Sequence, residues 1–528
     1  MNSITKRLRL GELNPVIIRD LRMRMRGVKT YWGQAAYLLV LGSVALVGYA
    51  TSLESDTAYN VVDVQRKLQQ FYYFIFVCLA ALITLIAPAL TASSITSEKQ
   101  RLTLDLLITT PLTSNQLLFG KLVSSVAYLG LLLSLSLPFS VLCVLLGGVT
   151  IAEVFRIYLL LAVDGLLLSA IGIYYSCTNC KSGGAIALAY IATIGVLIMT
   201  LFFIDYMTRG TDVYAPSMVI AVLDPFAAIY YGGGFFQLFG VTIPLCVGSA
   251  VLVLLLVRYL LTAASYLLGN YGGNPVGSLR RQFLMLTVVG VLLTGVQDKG
   301  FFGGGVASIM ARGSIDPLDA LRSILGTVLS VGVFFFPSLF VPRFNEESDD
   351  EQKLSGYRLS RIFTRDHAGV LPFFHLWLLV LFTTTVVMIA WKYGMPDGKQ
   401  WVTIFQILFY ASGVGYFYWA IARRMGQSVQ SHGGAKAVTF FVYIVLHLFP
   451  LMMLTVSDGS DTKSLYHLSI FAPLTKIEEM EPANLLMGYA LALYALGTAL
   501  FPFWRPVRRA ARPPRHPNPA PTPDFDLN

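Results

Sequence analysis

The sequence predicts an all-α fold: a polytopic transmembrane bundle of about twelve spans, with an N-terminal interfacial elbow helix and a cytoplasmic coupling helix. Two observations of composition come first. Of the 528 residues, 55% are hydrophobic and only 13% are charged, about half the charged share of a soluble domain. The mean hydropathy is +0.65. The third observation is spatial: apolar runs of about 20 residues, the length that crosses the hydrocarbon core, recur along the whole chain. Five cysteines exclude a disulfide scaffold, and 45 glycines without a period exclude collagen.

The elements follow in order. Residues 1–32 carry eight basic side chains before any long apolar run, so they are not a signal peptide. Within them, 6–29 mix Leu8, Leu10, Val16, Ile17, Ile18, Leu21 and Met25 with Arg19, Arg22, Arg24 and Arg26, the composition of a helix lying on the inner membrane surface. Spans are expected at 33–50, 71–92, 122–148, 154–175, 185–204, 237–262, 283–297, 324–341, 370–390, 402–422, 437–456 and 485–504. The first six, within 33–262, make one unit. A cytoplasmic connector at 263–282, with Gly269, Gly272, Gly273 and Pro275, leads to a second set within 283–504. The loops 205–236 and 457–484 are apolar enough to hold short helices. The Pro- and Arg-rich tail 505–528 has too little apolar material for a core and is expected to be disordered and cytoplasmic.

Charge sets the orientation. With the N-terminus inside, the inner segments hold 28 of the 39 basic residues and the outer loops 10. Per residue of segment the bias is about twofold, the sense of the positive-inside rule, and it places both termini in the cytoplasm. Trp32, Tyr72, Tyr73, Tyr174, Tyr175, Trp391, Trp401 and Trp504 fall at span ends, where amphipathic rings suit the headgroup layer.

Chemistry-bearing motifs are few. Gly120–Lys121 precedes Leu122 and Gly398–Lys399 precedes Gln400, so no phosphate-binding loop of the G-x-x-x-x-G-K-[ST] type exists. Cys177 and Cys180 form a lone C-x-x-C without the second pair that structural zinc needs. The six histidines show no ligand spacing, and His447 reads as a packing residue within a span. Catalytic residues, metal ligands and cofactors are expected to be absent from this chain. Asp164 stands mid-span in LLLAVDGLLLSA, where a carboxylate is costly. It reads either as a residue of a translocation path or as a structural hydrogen-bonding group.

The most specific text lies between the second and third spans, PALTASSITSEKQRLTLDLLITTPLTSNQLLFGKLVSS. Its residues 97–110 predict a short cytoplasmic helix with Leu102, Leu106 and Leu107 beside Glu98, Lys99, Arg101 and Asp105, stopped at Pro111. Thr113 with Gln116 predicts a capping box that opens the next helix. This stretch resembles the permeases of the type-two ATP-binding-cassette (ABC) exporter class. Glu98, Thr103, Leu104, Asp105, Leu106, Leu107, Thr110, Pro111, Gly120 and Lys121 match their pattern, and Asn14, Pro15, Arg19, Asp20, Leu21 and Arg22 match their interfacial elbow. Leu102 stands where that family usually has a glycine, and Asp105 replaces a glutamate.

The resemblance covers about residues 10–262. It implies a multi-pass permease in the plasma membrane of a bacterium, working as an exporter. It further implies a separate cytoplasmic ABC ATPase that binds ATP and Mg, docked through Glu98, Arg101, Leu102, Thr103, Asp105, Leu106, Leu107 and Pro111. A homodimer or a second permease would complete the assembly; no nucleic-acid partner is implied. The rival from another class is a membrane scaffold or assembly factor of permease-like architecture without transport of its own. A polytopic enzyme acting on lipid-linked substrates ranks last, because the loops lack clusters of Asp, Glu or His.

Overall fold

The computed structural model describes residues 15–25, 27–53, 61–104, 113–145, 149–179, 181–209, 223–231, 233, 235–238, 241–268, 275–294, 359–363, 369–393, 395, 397–428, 438–439, 441–442, 445–446 and 483–500. Their structure is overwhelmingly helical. In chain order the helices are α1 (Pro15–Met25), α2 (Val28–Leu53), α3 (Val61–Ala92), α4 (Thr96–Gln100), α5 (Ser114–Leu145), α6 (Ile151–Thr178), α7 (Ser182–Arg209) and α8 (Pro225–Tyr231). A hairpin of β1 (Phe235–Leu238) and β2 (Val241–Pro244) follows, then α9 (Leu245–Leu268) and α10 (Pro275–Thr294). The later helices are α11 (Val370–Tyr393), α12 (Gly398–Ser428) and α13 (Ala483–Leu500). Among the described residues, eight helices are long and apolar enough to cross a membrane.

Several boundaries obey local chemistry. Pro15 opens α1, where its missing N–H costs nothing. The expected capping box is present: the Thr113 amide donates to Gln116 Oε1 (3.0 Å) and the Gln116 amide donates to Thr113 Oγ1 (3.3 Å). A second one, Thr150 with Glu153, opens α6. The helices outrun the apolar runs, as α3 does by starting at Val61 instead of residue 71, because hydropathy marks only the apolar part of a helix.

One boundary differs in kind. The run expected as a span over 237–262 begins as a β-hairpin, with Phe235 opposite Pro244 and Leu238 opposite Val241, and the helix starts only at Leu245. Phe-Phe and Val-Thr-Ile are strand formers, and the two-residue connection ends in Gly240, a hairpin signal that apolarity hid. The loop expected to hold short helices does hold one, α8. Most of 263–282 is taken up by α9 and α10, which leave 269–274 between them. The span expected at 324–341, most of that at 437–456, the loop 457–484 and the tail lie outside the described residues.

The chain forms two compact units. In the first, Met1–Leu325 with Thr383–Pro396, α6 is the axis: α3, α5, α7, α8 and α9 all pack on it. Two glycines set the approach. A Cβ on Gly165 would rest 3.5 Å from Ile83 and from Leu129, and one on Gly172 would press to 3.0 Å of the Pro88 carbonyl oxygen in α3. Small residues let membrane helices pack this closely. In the second unit, Gly326–Phe382 with Asp397–Asn528, α12 pairs with α13. Tyr494 stacks on Tyr416 with centroids 5.4 Å apart, and its hydroxyl bonds Ser412.

Candidate functional site

The short helix α4 joins four other helices, and each link is polar. Glu98 accepts from the Lys121 ammonium of α5 (2.8 Å) and from Arg19 of α1 (3.3 Å), both at Oε1. Lys121 also lies 3.6 Å from Asp20 and donates to the Ser94 carbonyl (3.3 Å), and Arg19 closes the ring on Asp20 (3.0 Å). Two cations and two carboxylates thus balance. The Lys121 side chain is 4% exposed and that of Asp20 is 8%, a depth at which ions persist only when paired and hydrogen-bonded. At hydrogen-bond distance the ammonium donates to Glu98 and to the Ser94 carbonyl, with Asp20 at ion-pair range. Glu98 Oε2 has no hydrogen-bond partner among the described residues. Arg24, also of α1, donates to the Leu90 carbonyl (3.3 Å). Burial pushes its guanidinium below the ordinary value, and nearby Asp20 opposes that shift.

The other side of α4 is tied to α6 by mutual capping. The N-cap position, Ile95, offers no side-chain acceptor. Instead Ser176 Oγ of α6 accepts from the amides of Ile95 (2.8 Å) and Thr96 (3.1 Å). In return the Lys99 ammonium donates to the carbonyls of Cys177 (2.5 Å) and Asn179 (3.2 Å), at the C-terminal end of α6. Each helix end leaves orphan backbone groups; here each supplies the other's. Ser182, the first residue of α7, donates to Gln100 Oε1 (2.7 Å).

The helix expected over 97–110 ends early. The Leu102 amide donates to the Lys99 carbonyl (3.1 Å) and the Thr103 amide to the Glu98 carbonyl (3.0 Å), the Schellman pair of bonds. Leu102 takes the left-handed position at φ 56°, and its side chain is 79% exposed. Arg101, the C-cap, is exposed beside it. Position 102 is where the resemblance noted a glycine: the backbone turn that suits glycine is kept, with leucine on it. The helix expected over 97–110 is therefore interrupted at Leu102.

The expected residues divide accordingly. Glu98, Arg19 and Asp20 meet in the ion cluster. Thr103 bonds back to Glu98, with Oγ1 3.4 Å from its carbonyl. Arg22 faces outward. Asn14, Asp105, Leu106, Leu107 and Pro111 lie outside the described residues, as does Cys180. Asp164 is elsewhere, midway along α6 and about 18 Å from Ser176 at the helical rise. It is 1% exposed, and neither carboxylate oxygen has a hydrogen-bond partner among the described residues. Asp224 lies within its electrostatic reach. That second carboxylate is partnered, accepting from the Phe226 amide (2.9 Å) at the start of α8 and from Thr200 (3.0 Å). Sequence reasoning missed Ser176 and the role of Lys121. A lysine placed within the first turns of an apolar helix was the available signal for the latter. No group of three or more potential metal ligands exists among the described residues.

A bundle of apolar helices around α6, with a charged clasp at one of its ends, defines a multi-pass membrane protein. Residues 15–269, from the first residue of α1 to just past α9, match the family model described as ABC-2 family transporter protein. Residues 15–269, just under half of the chain, are similar to that family, and the match supports a membrane permease of an ABC system. No curated protein and no solved structure matches the chain.

Proposed function

We propose that the chain is the permease subunit of an ATP-driven exporter, and that a separate cytoplasmic ATPase docks on the segment beginning at α4. The observation that carries this is the attachment of α4. A five-residue helix bonded to α1, α5, α6 and α7 passes a displacement to all of them, whereas a free loop would absorb it. Arg101 and Leu102 present an exposed cation and an apolar knob at its end, and Asp105, Leu106, Leu107 and Pro111 continue the docking segment. In this reading α1 is the interfacial elbow, Asp164 lies on the translocation path, and ATP and Mg belong to the partner. The membrane is the bacterial plasma membrane, with both termini inside.

The test is co-purification of the tagged full chain, from its own cells, with a soluble P-loop ATPase. The double variant Arg101→Glu, Leu102→Asp should reach the membrane at wild-type levels and lose the ATPase, or lose the coupling of hydrolysis to transport. Retention of the partner with unchanged transport would refute the docking role. A wild-type complex that binds ATPase but moves no cargo would favour the scaffold reading.

A further inference from the structure

The helix α1 is built inside-out. Its inward positions, Ile17, Asp20, Leu21 and Arg24, recur at helical spacing and carry the buried Asp20 and the Arg24 that bonds Leu90. Its outward positions include Ile18 at 43%, Met23 at 62% and Met25 at 37% exposure, with the exposed Arg22 among them. A helix facing water would show the opposite arrangement. Exposed apolar residues recur at the start of α2, at Val28, Tyr31 and Trp32. Beyond them α2 exposes Leu39, Val40, Leu46 and Val47, and little of its apolar stretch is buried. Thr30 ties the two helices, its hydroxyl donating to the Arg24 carbonyl (2.6 Å).

We propose that this outer face of α1 binds the headgroups of anionic phospholipids, with Arg22 as the phosphate-contacting residue. The inference rests on the elbow reading and adds the lipid class. Charge decides the occupant. Among the described residues Arg22 has no acidic partner, and the single acidic residue of α1, Asp20, points inward. A cation flanked by methionine and isoleucine, with tyrosine and tryptophan a few residues on, meets phosphate and acyl carbon at one depth only in the headgroup layer. A protein partner would have to supply both an acid and an apolar lining. A leaflet containing phosphatidylglycerol supplies them together, and juxtamembrane basic residues gain most there.

The experiment places the photoreactive benzoylphenylalanine at Met23 (Met23→benzoylphenylalanine) in the full chain, reconstituted in vesicles of phosphatidylcholine with a minor share of phosphatidylglycerol. After illumination the adducts are identified by mass. The expected result is lipid adducts in which phosphatidylglycerol exceeds its bilayer share about fivefold, the ratio for one well-placed cation. Arg22→Gln should bring that ratio to the bulk share, Arg22→Lys should keep most of it, and high salt should reduce it. Lipid adducts in bulk proportion in the unsubstituted Arg22 chain would overturn the anionic proposal and leave the elbow intact. Protein adducts in place of lipid ones would overturn both.

Discussion

Leu102 keeps a strained conformation whose stability cost a single substitution can measure. A side-chain-bearing residue at φ 56° pays about 1 kcal/mol relative to the right-handed region, and glycine at this Schellman position does not. The exposed side chain recovers nothing within the described protein. We expect Leu102→Gly to raise stability by up to about 1 kcal/mol, less glycine's extra chain entropy, and Leu102→Val to lower it, as followed by thermal unfolding in detergent. The gain in Leu102→Gly should come with weaker ATPase capture, since the knob is removed. Asp164 poses the opposite case. A carboxylate in mid-span costs about 3 kcal/mol on insertion scales, and this one has no described hydrogen-bond partner. If Asp164 lines the path, Asp164→Asn folds and inserts at least as well as the wild type, and transport falls. Full transport by Asp164→Ala at normal membrane levels would end the path reading.

At the scale of elements, the mutual caps between α4 and α6 decide how firmly α4 is held. Ser176→Ala removes the acceptor of two amides at once, Ile95 and Thr96. Losing a cap costs about 1 kcal/mol, so amide hydrogen exchange at 95 and 96 should speed roughly fivefold. Exchange in the middle of α5 serves as the unchanged reference. Equal exchange at 95 and 96 in both proteins would show that the caps do not hold α4. Such pairing explains what could and could not be read in advance. The Thr113–Gln116 box was legible because its partners are three residues apart, and the Thr150–Glu153 box carried the same local signature unread. Ser176 was not legible, since its partners lie 80 and 81 positions away. The stop at Leu102 was missed because leucine carries no turn signal there. The hairpin at 235–244 was missed because Phe, Val and Ile are equally at home in a span and in a strand.

On the scale of the whole molecule, composition fixes the class, and charge placement predicts an orientation that helix geometry alone does not. The eight long apolar helices among the described residues fit a multi-pass chain whichever face is inward. The asymmetry lies in the basic residues, 28 in the segments assigned inside against 10 in those assigned outside. Moving Lys or Arg through the hydrocarbon costs about 2.5–3.5 kcal/mol each at a helix centre, so insertion retains the richer loops on the synthesis side. The assignment puts the clasp on the inner side. Arg19, Lys99 and Lys121 all sit at the end of the bundle where α6 finishes and α7 begins, which the charge count makes the inner end. Reporter fusions therefore have a defined pattern. A fusion after residue 528 and one near residue 430, beside Arg423 and Arg424, should be active only as cytoplasmic reporters. One near residue 465 should be active only as an external reporter. An external signal at residue 528 would break the even number of crossings and, with it, the twelve-span count. An external signal near 430 with an internal one near 465 would reverse the orientation of the second set of spans, leaving the first unit and its clasp unaffected.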